Sequence, residues 1–271
     1  MHGLKSPLIE DKLSDKEFIQ KLGNSDNLTL TKLHTDRKDL SIPGYTLKKV
    51  KLRPKTHKGS KISGGIALFV NESLGDSVHV VPNTNENSIW VEIKNESNKK
   101  ESLFVGSFYV SPESMKIKVN LFELLNEEIK KFQNKGSIIL QGDFNAQVGK
   151  ADDFITPDPF FNNMFDGCPT NSTQSIPPRN SEDTKSNSRG DELLDFCKNN
   201  EFAIVNGRKV GDLFGKYTSH QYNGSSAVDF VLTPIVEFEK ISYLEVGDFT
   251  PWLSDHTPFS KKSTKNTNQS S

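Results

Sequence analysis

Three short segments carry the residue types from which a metal-assisted hydrolytic site could be built. In SIILQGDFNAQVG an apolar run over 137–140 stops at Gly142, Asp143, Phe144 and Asn145. Side chains alternate along a strand, so Asp143 and Asn145 are expected on one side and Phe144 on the other, giving a carboxylate and a carboxamide one cleft. An Asp two residues before an Asn is as often a turn feature. In TPWLSDHTPF, Asp255 and His256 are adjacent between apolar flanks. A carboxylate beside an imidazole can hold a divalent cation and supply a base near neutral pH, although most exposed Asp-His pairs are plain surface. In SSAVDFVLTP, Asp229 sits inside an apolar strand. A charge buried there costs on the order of several kcal/mol unless it is paired, and His256 is the obvious partner.

The elements that must position these groups are mostly strands. Apolar runs bounded by Gly, Pro, Asn and Ser predict strands over 45–52, 66–70, 77–81, 89–93 and 103–110. Further runs predict strands over 137–144, 202–206, 217–220, 227–232 and 241–246. Helical spacing marks 115–132, where Phe122, Leu125, Ile129 and Phe132 recur on one face, then 191–199, and more weakly 15–22. Strand runs interrupted by helices, without strict βαβ alternation, favour an α+β architecture of two stacked mixed sheets with helices outside. One core can absorb 271 residues, and a domain over 1–259 followed by a disordered tail over 260–271 is expected. The polar stretch 152–188 is too long for an ordinary connection and reads as a functional or mobile loop.

Composition excludes several classes. No run approaches the roughly 18 apolar residues of a membrane span, and the charged first 16 residues lack the apolar stretch of a signal peptide. A soluble intracellular protein is expected, with nucleus and cytoplasm not distinguished. Cys168 and Cys197 are too few for a disulfide framework or a zinc site, and Cys197 reads as a buried thiol of a helix. The net charge of -1 gives no global signature of a nucleic-acid binder. Locally, KKVKLRPKTHKGSK (48–61) holds seven Lys or Arg and His57, either a phosphate-contacting edge or a solvated loop.

Taken in order, SGGIALFV (63–70), SFYVSPE around Tyr109, QGDFNAQVG, SRGDELLDFC, the Asp229 strand and SDH at 254–256 resemble the endonuclease domain of non-LTR retrotransposons. That group belongs to the endonuclease/exonuclease/phosphatase superfamily, with the apurinic/apyrimidinic endonucleases and the DNase I-like fold. The resemblance runs from about residue 22 to 259. It implies a four-layer αββα sandwich, here with its first strand truncated, a monomer, and DNA as substrate. It also implies Mg2+ or Mn2+, held in the neighbourhood of Asp143 and Asp255. By the same resemblance Tyr109 contacts the scissile phosphate, Asp143 handles the attacking water or leaving oxygen, Asn145 positions them, and Asp229 orients the histidine His256. From the residues alone, nothing local marks Tyr109, and a strand aromatic packed in the core is the favoured reading.

The sequence departs from that group at one decisive point. The family's motif Leu-Ser-Glu-Thr-His, whose Glu is the principal metal ligand, is matched by LTKLH (30–34), which places Lys32 at the ligand position. An ammonium there competes with a cation, so weak or absent nuclease activity is expected. The competing reading is a non-catalytic retroelement remnant that retains nucleic-acid binding. A third keeps the chemistry and changes the substrate to another phosphoester.

Overall fold

The computed structural model describes residues 13, 27–33, 38–52, 64–94, 102–110, 121–155, 176–252 and 254–263. Two compact units emerge, Met1–Asn145 with Thr250–Asp255, and Ala146–Phe249 with His256–Ser271.

In the first unit, β1 (Asn27–Thr31), β2 (Tyr45–Leu52) and β3 (Gly65–Asn71) form an antiparallel sheet in the order β1-β3-β2. A second sheet runs through β4 (Val78–Val81), β5 (Ser88–Ile93), β6 (Ser102–Tyr109) and β7 (Gly136–Asp143) in that order. Its pairs are antiparallel except β6 with β7, which are parallel. A parallel pair needs a crossover, and α1 (Leu121–Phe132) lies in it.

The central strand β3 explains why IALFV is a continuous apolar run rather than an alternating one: both of its faces are covered. Ala67 and Phe69 join Leu13, Leu33, Leu40, Ile42 and Tyr45 in one cluster. Ile66, Leu68 and Val70 meet Val78, Ile89, Val91, Val105 and Tyr109 in another, which is the layer between the two sheets. The unanticipated β1 follows the same geometry. Leu28 and Leu30 pack on the outer cluster, while Thr29 points to the other face and hydrogen-bonds the Ser107 hydroxyl at 2.8 Å.

On the far face of the second sheet, α1 buries Phe122, Leu125, Glu128, Ile129 and Phe132. The Phe132 ring stacks on Phe104 and tilts against Trp90, with centroids 4.8 Å apart in each case. Glu128 is the polar exception on this apolar stripe, and it is satisfied. Its carboxylate accepts from Trp90 Nε1 at 2.9 Å, Asn83 Nδ2 at 2.8 Å and Ser88 Oγ at 3.1 Å. The helix predicted from 115 is observed from Leu121, and 111–120 lie outside the described residues. The weak helix predicted over 15–22 and Cys168 lie outside them too.

The second unit contains α2 (Ser188–Asn200), β8 (Phe202–Ile204), β9 (Ser219–Gln221), β10 (Gly224–Ser226), β11 (Asp229–Pro234), β12 (Ile241–Val246) and β13 (Phe259–Ser263). Antiparallel pairs join β8 with β11, β9 with β10, and β12 with β13. The last pair corrects the expectation of a disordered tail from residue 260: Ser260 to Lys262 are laddered to β12, and 264–271 lie outside the described residues. Lys261 and Lys262 hid the strand, because an edge strand can carry charge without losing its backbone ladder.

At the start of α2, Asn187 Oδ1 accepts from Gly190 N at 2.8 Å and Gln147 N at 3.1 Å, so one side chain caps the helix and ties it to the Gln147–Val148 segment. A Cβ on Gly190 would overlap the Gln147 carbonyl, which accounts for the glycine in SRGDELLDFC. Cys197 on this helix is fully buried, and burial pushes its thiol well above the usual range, as expected of an inert structural cysteine.

The polar stretch 152–188 is held firmly at both ends. Arg208 makes a buried two-pronged pair with Asp153, both bonds 2.7 Å, and donates through Nε to the Pro177 carbonyl at 2.7 Å. Arg179 donates to the carbonyls of Gly149 and Ala151 at 2.8 and 2.9 Å. Residues 156–175 lie outside the described residues.

Candidate active site

In the first unit, the end of β7 fixes Asp143. Tyr109 is its partner across the parallel ladder, and the Val110 amide donates to the Asp143 carbonyl at 2.8 Å. Gly142 just before it has φ +136, and a Cβ there would overlap the Phe108 carbonyl, so this approach of β6 and β7 requires glycine.

Asp143 is fully buried. Its Oδ1 accepts from the Asn145 amide at 2.9 Å, and Asn145, in the left-handed region at φ +49, donates through Nδ2 to the Val110 carbonyl at 2.6 Å. Strand alternation is therefore not what brings Asp143 and Asn145 together. The strand ends at Asp143, and an Asx turn, the alternative reading of the spacing, closes the pair. Phe144 packs inward as expected, stacking on Phe108 with centroids 5.7 Å apart.

Lys32 follows β1 and takes a left-handed backbone at φ +53. Its ammonium reaches two carboxylates, Asp143 Oδ2 at 3.8 Å and Asp255 Oδ2 at 3.7 Å. The Lys32 side chain is 17% exposed, that of Asp143 fully enclosed, and that of Asp255 53% exposed. The two carboxylates that the resemblance assigns to a divalent ion thus share one lysine. Tyr109, 6% exposed, packs in the layer between the sheets, as a strand aromatic would.

The second unit holds the other two site residues. Asp229 opens β11 and is 5% exposed, and its Oδ2 lies 2.7 Å from His256 Nδ1. The buried carboxylate in the apolar strand has the partner expected for it. Asp255 and His256, neighbours in sequence, do different work: one faces Lys32 and the other Asp229.

Two residues missed in the sequence hold this pair. Thr218 Oγ1 accepts from the amides of Val228 and Asp229, each at 3.0 Å, and the Thr218 carbonyl accepts from Thr257 N at 2.9 Å. Thr218 thereby ties the segment before Asp229 to the one after His256. It also delays the strand predicted from 227 until Asp229, because those amides are turned to a hydroxyl. Asn206 braces β11 from its other side, accepting from Val231 N at 2.9 Å and donating to the Asp229 carbonyl at 3.3 Å. A lone Thr and a strand-end Asn carry no sequence signal of such a role.

Lys51 is half-buried and donates to Asn83 Oδ1 at 2.7 Å and the Asn85 carbonyl at 2.8 Å. Burial lowers its pKa, against the opposing pull of Glu128. Residues 53–61 lie outside the described residues.

Solved structures with this fold are numerous. The endonuclease domain of TRAS1, a telomere-specific non-LTR retrotransposon, matches over 96% of this chain and 94% of its own, with 15% identity and a TM-score of 0.55. The AP endonuclease LMAP from Leishmania major matches over 93% of this chain and 81% of its own, with 13% identity and a TM-score of 0.60. The 3′ phosphatase NExo from Neisseria, bound to a product DNA hairpin, matches over 91% and 93%, with 17% identity and a TM-score of 0.53. The chain therefore has the DNase I-like, α+β sandwich fold of the endonuclease/exonuclease/phosphatase proteins. No family model and no curated relative matches the sequence.

Proposed function

We propose that the chain is a DNA phosphodiesterase domain of the endonuclease type, with a hydrolytic pair, Asp229 and His256, in one unit and, in the other, two carboxylates that Lys32 occupies. The observation that carries the reading is the 2.7 Å contact between Asp229 and His256, made by a buried carboxylate. With Nδ1 committed to Asp229, the imidazole is held in one orientation, and proton transfer falls to Nε2. There it takes the proton of a water that attacks phosphorus in line while the 3′ oxygen leaves.

A divalent ion, in this chemistry, neutralises charge developing on the phosphate oxygens. Asp143 and Asp255 are the carboxylates that would face it. As they stand they do not fit one, since the Lys32 ammonium lies 3.8 and 3.7 Å from them. Slow cleavage is the expected consequence.

The test is nicking of supercoiled plasmid and of an abasic duplex in Mg2+ and in Mn2+. Slow turnover that disappears in His256→Ala supports the reading; cleavage indifferent to His256→Ala overturns it. The same Lys32 contact favours a second reading, a non-catalytic nucleic-acid binder. That reading requires duplex DNA to bind in EDTA with no cleavage in either metal.

A further inference from the structure

We infer that Lys32 is a resident counter-ion: its ammonium stands where a divalent ion would stand toward Asp143 and Asp255, offsets one of their two charges and opposes metal binding there. This rests on the assignment of those two carboxylates in the proposed function, but concerns binding rather than turnover.

Three observations carry it. First, Asp143 is fully buried, and an enclosed carboxylate requires a positive partner or a set of donors. Lys32 supplies charge at 3.8 Å, and the Asn145 amide supplies a hydrogen bond at 2.9 Å. Second, the ammonium addresses both carboxylates at nearly equal distances, 3.8 and 3.7 Å, as a bridging cation does. These distances are longer than the roughly 2.7–2.9 Å of a charge-assisted hydrogen bond, so position between two charges, rather than a directed bond to either, defines the contact. Third, the side chain is only 17% exposed, although lysine ordinarily keeps its ammonium in water. Its place is fixed by the end of β1, where Lys32 takes φ +53 and the next amide, of Leu33, donates to the Gly65 carbonyl at 3.4 Å.

Charge arithmetic gives the functional consequence. Two carboxylates and one ammonium leave a net charge of -1, whereas two carboxylates and a divalent ion leave zero. A phosphate approaching the lysine-filled site therefore meets residual negative charge that a metal would have cancelled. A cation entering beside Lys32 would meet a like charge between Asp143 and Asp255. Lysine in this place stabilises the folded apoprotein and opposes the metal.

Isothermal calorimetry and thermal melts with Mn2+ test this without reference to cleavage, on the full chain as wild type, Lys32→Met and Lys32→Glu. The wild type is expected to show no Mn2+ heat and a Tm shift below about 1 °C. Lys32→Glu should bind Mn2+ and gain about 5–10 °C at a hundredfold excess over its Kd. Lys32→Met, which removes the charge without adding a ligand, should be less stable than wild type in EDTA and recover part of the loss in Mn2+. Mn2+ binding by the wild type as tight as by Lys32→Glu would overturn the inference, as would folded Lys32→Glu and Lys32→Met proteins both indifferent to the metal. Should Lys32→Glu fail to fold, Lys32→Met alone decides. If DNA is never cleaved, the proposed function fails while these outcomes stand or fall separately.

Discussion

Both units contain a carboxylate paired with a nitrogen base, and the two pairs are built differently. Asp229 and His256 meet at 2.7 Å, a directed hydrogen bond that fixes one ring nitrogen and so orients the other. Lys32 stands at 3.8 and 3.7 Å from Asp143 and Asp255, in ion-pair rather than hydrogen-bond range. The first geometry suits proton transfer, which depends on direction. The second suits charge balance, which depends on distance and burial alone. Under the proposed function, Lys32 serves as counter-charge to Asp143 and Asp255 in one unit while the Asp229–His256 pair is kept in the other.

That contrast is broken most strongly at the histidine. His256→Ala removes the directed pair and should lower DNA cleavage about 100- to 10,000-fold, measured as initial nicking rate. Loss of less than about tenfold would place proton transfer elsewhere. Next in size is Asp143→Ala, which strips the buried partner of Lys32 and the acceptor of the Asn145 amide. A stability loss of about 1–3 kcal/mol is expected from urea unfolding, with part recovered when Lys32→Met is added to the same chain. A double variant no more stable than the single one would deny that the charges are coupled. Smallest is Asp255→Ala. Asp255 is 53% exposed, solvent screens its ion pair, and the loss should stay below about 1 kcal/mol by the same unfolding measurement. A cost equal to that of Asp143→Ala would show the two carboxylates to be equivalent.

How much of this could be read in advance depends on how local each signal is. The strand 45–52 and the strand 241–246 have the predicted bounds, because turn residues and apolar runs are contiguous in sequence. β1 was not legible: NLTLT is short, and its burial comes from β3, far along the chain. β13 was hidden by its lysines. In the site, the Asp229–His256 partnership was legible because an Asp in an apolar strand demands a partner. Lys32 could be flagged only through resemblance to a motif, and its bridging of Asp143 and Asp255 only in three dimensions. Thr218 and Asn206 were invisible, since their work lies in backbone amides whose direction no residue type reveals.

If the Lys32 ammonium is what opposes a metal ion beside Asp143 and Asp255, its removal should show in initial cleavage rates of an abasic duplex in Mg2+, compared between wild type and Lys32→Glu. At least a tenfold gain is expected for Lys32→Glu, about 1.4 kcal/mol of transition-state stabilisation, and it should vanish when His256→Ala is added. Equal rates, or a faster wild type, would contradict it.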